Sequence, residues 1–196
     1  MLWRKNVDEI AKCLQSPRAS DGDTRPLDIG AAFARWTDWT VQIREHKRTI
    51  FLIGNGASAS MASHVAADLA KNAHVHTEVF TDLALITAIA NDLSFLEIFS
   101  EPLKRRLVPG DMVVAISSSG RSANILQAVQ TTKILGGKVV TLSAMQRNNP
   151  LHRLGDLNFY IPAPSYGMAE TCHAAILHYW IDRTILASQM AKAVTQ

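Results

Sequence analysis

The sequence predicts an α/β protein built on a mostly parallel sheet. Apolar, β-branched runs of strand length at 48–53, 112–116 and 138–143 alternate with longer segments whose apolar residues recur at helical spacing. That alternation implies right-handed crossovers between parallel strands. Two of the runs end in polar turns that open into a helix, Gly54-Asn55-Gly56-Ala57-Ser58 and Ser117-Ser118-Ser119-Gly120-Arg121-Ser122. Both corners should then meet at the carboxyl edge of the sheet, where open α/β sheets bind ligands.

The elements follow in order. Residues 5–15 place Val7, Ile10, Ala11 and Leu14 on one helical stripe. Residues 16–26 are rich in Ser, Pro, Asp and Gly and are expected to form a turn-rich linker. A second helix is expected over 27–46, with Ile29, Phe33, Trp36, Trp39, Thr40 and Ile43 towards one side. The aromatic surface of these two helices must be covered, either by the sheet of their own subunit or in a helical bundle with another. The first strand, 48–53, leads through the first corner into a helix over 59–72 and a strand over 75–80. A short helical or turn segment at 84–91 and a helix over 95–107 come next, and Pro109-Gly110-Asp111 turns the chain into the central strand, 112–116. A helix over 123–135 ends at Gly136-Gly137, followed by strands at 138–143 and 157–161 and a closing helix over 168–190. The whole reads as one structural unit, with helices in 1–47 and an α/β domain in 48–196.

Composition narrows the class. A chain of 196 residues, 47% hydrophobic and 19% charged, can bury a real core and is not disordered. No apolar run reaches the length of a membrane span and the first ten residues lack a signal-peptide core, so no membrane partner is expected. Two cysteines, Cys13 and Cys172, are too few for a disulfide framework, and a cytoplasmic location fits them. The net charge of +3 comes from scattered basic residues and gives nucleic acid no specific support.

The serine-rich loop carries the clearest chemistry. The first N–H groups of a helix have no partner inside it, and the macrodipole there favours an anion. Ser117, Ser118, Ser119 and Ser122 can add hydroxyl donors, so a phosphate group suits this corner; a polar loop with an ordinary serine cap is the plain alternative. Neither the Walker A nor the dinucleotide glycine spacing is present. His64 and Asp68, four apart, share a helix face, which suits a metal or an oriented acid–base pair as well as an exposed surface pair. On the closing helix Glu170 and His178 are eight apart, ~12 Å along an unbroken axis, too far to ligate one ion together. Either the helix begins after Glu170 or the two serve one site from different subunits. His173 beside Cys172 reads as core or as a cap. His74 and His76 would share a strand face, with no third ligand near them, and Asp92 can cap the next helix or contact a ligand.

The two corners, the Thr87-Ala88-Ile89-Ala90-Asn91-Asp92 segment and His64 together resemble the sugar isomerase (SIS) domain, nearest its phosphoheptose isomerase branch, over roughly 27–185. The resemblance implies a flavodoxin-like three-layer α/β/α sandwich and a homotetramer whose N-terminal helices build a bundle, with active sites at subunit interfaces. It implies that Ser117, Ser118, Ser119 and Ser122 hold a substrate phosphate with help from Ser58, and that Asn55, Gly56 and Asp92 belong to the sugar site. It further implies a divalent metal, zinc above all, held by His64, Asp68, Glu170 and His178, with Asp68, His178 and Glu170 as catalytic candidates. Two of these four depart from the family, which has glutamate where Asp68 stands and glutamine where Glu170 stands. Aspartate is a methylene shorter, and a displacement of about 1 Å can cost on the order of 10²-fold in rate. Glu170 is a hard ligand or an alternative base. The implied activity is aldose–ketose isomerisation of a sugar phosphate, most simply sedoheptulose 7-phosphate, through an enediol. The other reading is a SIS protein without turnover that binds sugar phosphates or a replication initiator, and retention of both His64 and His178 weighs against it.

Overall fold

The structure is a computed structural model that describes residues 2–194. Seven strands, β1 (Arg18–Asp21), β2 (Pro26–Leu27), β3 (Thr49–Gly54), β4 (His76–Val79), β5 (Met112–Ser117), β6 (Lys138–Ala144) and β7 (Leu157–Ile161), form one sheet in the order β2-β1-β7-β6-β5-β3-β4. From β7 to β4 all pairings are parallel, and β1 and β2 add on antiparallel.

The central strands read as continuous apolar runs because both their faces are covered. Along β5, Met112, Val114 and Ile116 enter one core and Val113 and Ala115 the other. The first core lies beneath α2 (Ile29–Glu45), α3 (Ala57–Ala73) and α7 (Tyr166–Val194). The second lies beneath α4 (Leu83–Asp92), α5 (Ser100–Arg106) and α6 (Ala123–Ile134). This is the expected three-layer sandwich.

The aromatic face of α2 is covered by its own subunit. Trp36 is fully buried and stacks on Trp180 at 4.1 Å between ring centroids, and Phe33 and Trp36 both pack on Phe159. Trp180 Nε1 donates to Thr40 Oγ1 at 2.9 Å, so the one polar atom of this buried indole is satisfied. On α1 (Trp3–Gln15), by contrast, Leu2 just ahead of it and Trp3, Val7 and Leu14 within it remain exposed.

Three local expectations are corrected. Residues 16–26 are not a plain linker, for β1 and β2 flank a turn in which Asp21 Oδ1 accepts from the N–H groups of Asp23 and Arg25. The turn chemistry was legible, but β7, buried along its whole length, needs a partner on its outer edge and recruits the flanks. The helix expected over 95–107 is a 3-10 turn at Phe95–Glu97 followed by α5, because Pro102 is tolerated only within a first turn. His74 and His76 do not share a strand: His74 ends α3 in the left-handed region at φ 55°, and β4 begins at His76. Cys13, Cys172 and His173 are all buried, so the cysteines are free thiols of the core and His173 is a core histidine rather than a cap.

Candidate active site

The chain leaves β3 for β4 on one side and β5 for β6 and β7 on the other, so the sheet reverses direction between β3 and β5. Gly54 and Ile116 are register partners there, which brings both polar corners together at the carboxyl edge. Asn55 and Asn124 tie the corners with reciprocal amide hydrogen bonds of 2.9 and 3.0 Å. The sequence argument missed Asn124, although a buried asparagine in the first turn of a helix that follows a serine loop is an unusual residue choice.

Between the corners lies a cavity of about 290 Å³ lined by Asn55, Gly56, Ser58, Ser117, Ser118, Ser119, Ser122, Tyr166 and Glu170, among others. Its chemistry suits an oxyanion. Both α3 and α6 start at it, and neither takes a side-chain hydrogen bond at its cap. The positive ends of two dipoles therefore face one concavity, although the N–H groups of Ser58, Ala59 and Ile125 already donate within their own corners. Ser118 Oγ is buried without a hydrogen-bond partner, a costly state that an acceptor in the cavity relieves. Ser117 and Ser122 hydroxyls lie 3.1 Å apart and close the loop on itself. Gly120, at φ 62°, makes the tight turn, its N–H donating to the Ser117 carbonyl at 2.9 Å.

Further along α3 is a second group. His64 Nε2 is 3.3 Å from Asp68 Oδ2 and 3.2 Å from His178 Nε2. One ligand atom from each of the three residues lies within 4.8 Å of the others. His178 Nδ1 meets the Ala174 carbonyl at 2.8 Å, which fixes the N–H there and leaves Nε2 with its lone pair directed at the group. Two imidazole lone pairs and a carboxylate aimed at one point call for a proton or a cation between them, so the set fits a divalent metal.

The two groups are distinct within the chain. The closing helix begins at Tyr166, ahead of Glu170, and runs unbroken through His178. Glu170 accordingly lies in the wall of the serine cavity and outside the His64–Asp68–His178 group of its own chain. Asn55, Gly56, Ser58 and the four loop serines all line that cavity. Asp92 does not; it is the exposed last residue of α4, accepting from Asn91 Nδ2 at 2.8 Å, and caps no helix start. Tyr166, which opens the closing helix, joins the wall unforeseen, since nothing in its sequence neighbourhood marked it.

A switch-point anion pocket with a histidine–carboxylate group two helical turns away defines an α/β protein for small phosphorylated ligands. The SIS domain family matches residues 31–144, more than half of the chain. The chain is 36% identical over 157 residues to phosphoheptose isomerase of Coxiella burnetii, covering 74% of this chain and 78% of that protein. It is 30% identical over 148 residues to phosphoheptose isomerase of Helicobacter pylori, covering 72% and 77% respectively. The solved phosphoheptose isomerase of Neisseria gonorrhoeae superposes with a TM-score of 0.80 at 23% identity, over 92% of this chain and 96% of that one. The chain belongs to the SIS domain family, within its phosphoheptose isomerase branch. It is an enzyme, an isomerase of the phosphosugar class.

Proposed function

We propose that this isomerase interconverts sedoheptulose 7-phosphate and glycero-manno-heptose 7-phosphate by metal-assisted proton transfer through an enediol. The observation that carries the reading is the spacing of its two groups along one pair of helices. Glu170 lines the serine cavity and His178 belongs to the ligand group, ~12 Å apart on the unbroken α7 axis. A phosphate seated on Ser117, Ser118, Ser119 and Ser122 lets an extended sugar chain of heptose length reach His64, Asp68 and His178 with its carbonyl end. The relatives of Coxiella burnetii and Helicobacter pylori are phosphoheptose isomerases, which supports the same carbon count.

The phosphate end provides remote binding energy that orients the reacting end. Ser118 and Ser58 donate to it, and Asn55, held by Asn124, faces the sugar. Glu170, in the cavity wall, accepts from sugar hydroxyls near the phosphate. At the far end Asp68 has Oδ2 turned to His64, leaving its second oxygen to take the carbon-bound proton and return it to the neighbouring carbon. His178, its Nδ1 committed to Ala174, has only Nε2 to offer, and would act at the oxygen side of the enediol by holding a cation there. His64, Asp68 and His178 would hold a divalent cation, zinc by the donor set, which supplies Lewis-acid polarisation of the carbonyl when bound.

The His64 side chain is 58% exposed and Asp68 29%, so a neighbouring subunit is needed to exclude water from this end. A cytoplasmic homotetramer with interface sites supplies it, with Trp3, Val7 and Leu14 of the N-terminal helix contributing to the bundle. Among the described residues no helix is long and apolar enough to cross a membrane. The deciding experiment is turnover of sedoheptulose 7-phosphate by the purified protein after chelation, with and without zinc restored. Aldose formation that returns with zinc supports the reading. Calorimetric binding of the sugar phosphate with no turnover in either condition refutes it and leaves a sugar-phosphate-binding regulator.

A further inference from the structure

The β1–β2 hairpin builds a second pocket. It has a volume of about 440 Å³, is lined by Ser20, Thr24, Arg147, Asn148, His152 and Arg153, and shares no residue with the serine cavity. Arg18 stands beside it: it is the register partner of Tyr160, whose ring lies 5.1 Å from that of His152. Burial chiefly, and then the charges of Arg147, Arg153 and Arg18, push the His152 imidazole below its ordinary value. Among the described residues none of these three arginines has a carboxylate within ion-pairing distance. Guanidinium groups gathered on one concavity repel one another, and an anion bound between them removes that cost.

A second observation points into the same pocket. Ser20 is 94% buried, being 6% exposed, and its hydroxyl has no hydrogen-bond partner. The Nδ1 of His152 is buried and unpartnered as well. Two orphan polar atoms beside unpaired arginines are what an oxyanion would satisfy. The arginines converge on one hollow instead of following a groove, which favours a compact ligand over a nucleic-acid strand.

We propose that this pocket is a second anion site, taking a small phosphorylated ligand on Arg147 and Arg153 with Ser20 Oγ and the His152 ring as hydrogen-bond partners. Its occupancy is felt at the serine loop, because residues 145–153 form a wall of one and a support of the other. Leu151 N–H donates to the Gly120 carbonyl at 3.2 Å, Arg121 donates to Gln146 Oε1 at 2.9 Å, and Asn149 packs against Gly120.

The test follows the His152 ring resonances of the full chain by NMR during titration with pyrophosphate. The expected result is a saturable shift, with the imidazole titrating at higher pH in the bound form because the anion cancels the arginine charges. Arg147→Ser with Arg153→Ser weakens that binding at least about tenfold, since each lost charged hydrogen bond is worth that much. Both side chains are exposed, so the fold should survive. Ser118→Ala leaves the His152 response intact, which separates this site from the serine cavity. Sedoheptulose 7-phosphate in a parallel titration shows whether a sugar phosphate or a more compact polyanion is preferred. His152 signals that stay unmoved while the serine cavity saturates overturn the proposal. So does a mixed-sequence oligonucleotide that binds more tightly than pyrophosphate through the same two arginines.

Discussion

Two glycines of the active site share a positive φ but should resist alanine for different reasons. Gly56 has φ 55° and open space where a Cβ would stand. Gly120 has φ 62°, but a Cβ there runs into the side chain of Asn149. At Gly56 ψ is −126°, outside the left-handed helical well, and that nearly glycine-only conformation costs an L-residue ~1–3 kcal/mol whatever the space. At Gly120 the positive φ alone costs about 1 kcal/mol, and the surroundings decide the rest. Asn149 makes the difference. It is fully buried, its Nδ2 donates to the Gln146 carbonyl at 2.7 Å and more weakly to Ser143 Oγ and the Ala144 carbonyl, and its Oδ1 accepts from His152 N–H at 3.0 Å. Displacing it forfeits about two good hydrogen bonds at ~0.5–1.5 kcal/mol each and leaves buried groups unpaired. Gly120→Ala should therefore cost ~2–4 kcal/mol, of which ~1–3 kcal/mol disappears when Asn149→Ala is already present, whereas the ~1–3 kcal/mol cost of Gly56→Ala should not depend on Asn149. Urea unfolding with unchanged m-values measures both. A Gly120→Ala loss that is the same, within ~0.5 kcal/mol, with and without Asn149→Ala would falsify the assignment of Asn149 as the support beneath the serine loop.

Three further outcomes are expected. His173 is fully buried and its imidazole is held down to about 4, chiefly by burial, against 6.5 when free. The unfolded chain therefore binds the extra proton first as pH falls. The stabilising contribution of this group is complete above 6.5 and is lost from there down to about 4, by up to ~3 kcal/mol, a slope that His173→Asn should flatten in denaturant titrations at stepped pH. Asn124→Ala breaks the paired amides with Asn55 and should cost ~1–3 kcal/mol while raising KM for the sugar phosphate more than it lowers kcat. The wild type should carry zinc through gel filtration, and His178→Ala, which removes one candidate ligand from the His64–Asp68–His178 group, should lose it, as elemental analysis would show.

The sequence foretold the elements whose pattern is set locally and missed those set by neighbours. The strand–turn–helix corners were legible because strand and helix periods differ and the turn residues sit between them. The ends of β7 were read correctly, yet the strand that covers its edge was not, because Arg18–Asp21 pairs only once β7 is in place. His64 and Asp68 were legible as a pair from their spacing alone. That His178 joins them came from the family resemblance alone, because no local signal encodes how α3 and α7 pack. Asn124 belongs to the same kind: its partner is 69 positions away in the chain.

The continuity of α7 also bears on which carboxylate takes the proton. A base must reach the carbon next to the carbonyl that the metal-ligating group polarises, and hydrogen-bond reach is about 3 Å. Glu170 stands two turns from His178 on the same helix, so it cannot serve the group formed by its own chain. Asp68 is already there. Its short side chain suffices at this position, for Oδ2 comes within 3.3 Å of His64 Nε2 one turn away on the same helix. The pair of variants Asp68→Asn and Glu170→Gln separates the roles through exchange of the substrate C2 proton with solvent deuterium. Asp68→Asn should abolish exchange, whereas Glu170→Gln should raise KM and leave exchange at saturation close to wild type. Exchange lost with Glu170→Gln and kept with Asp68→Asn would instead mean that a neighbouring subunit brings its glutamate to this group, and the site would have to be rebuilt across the interface.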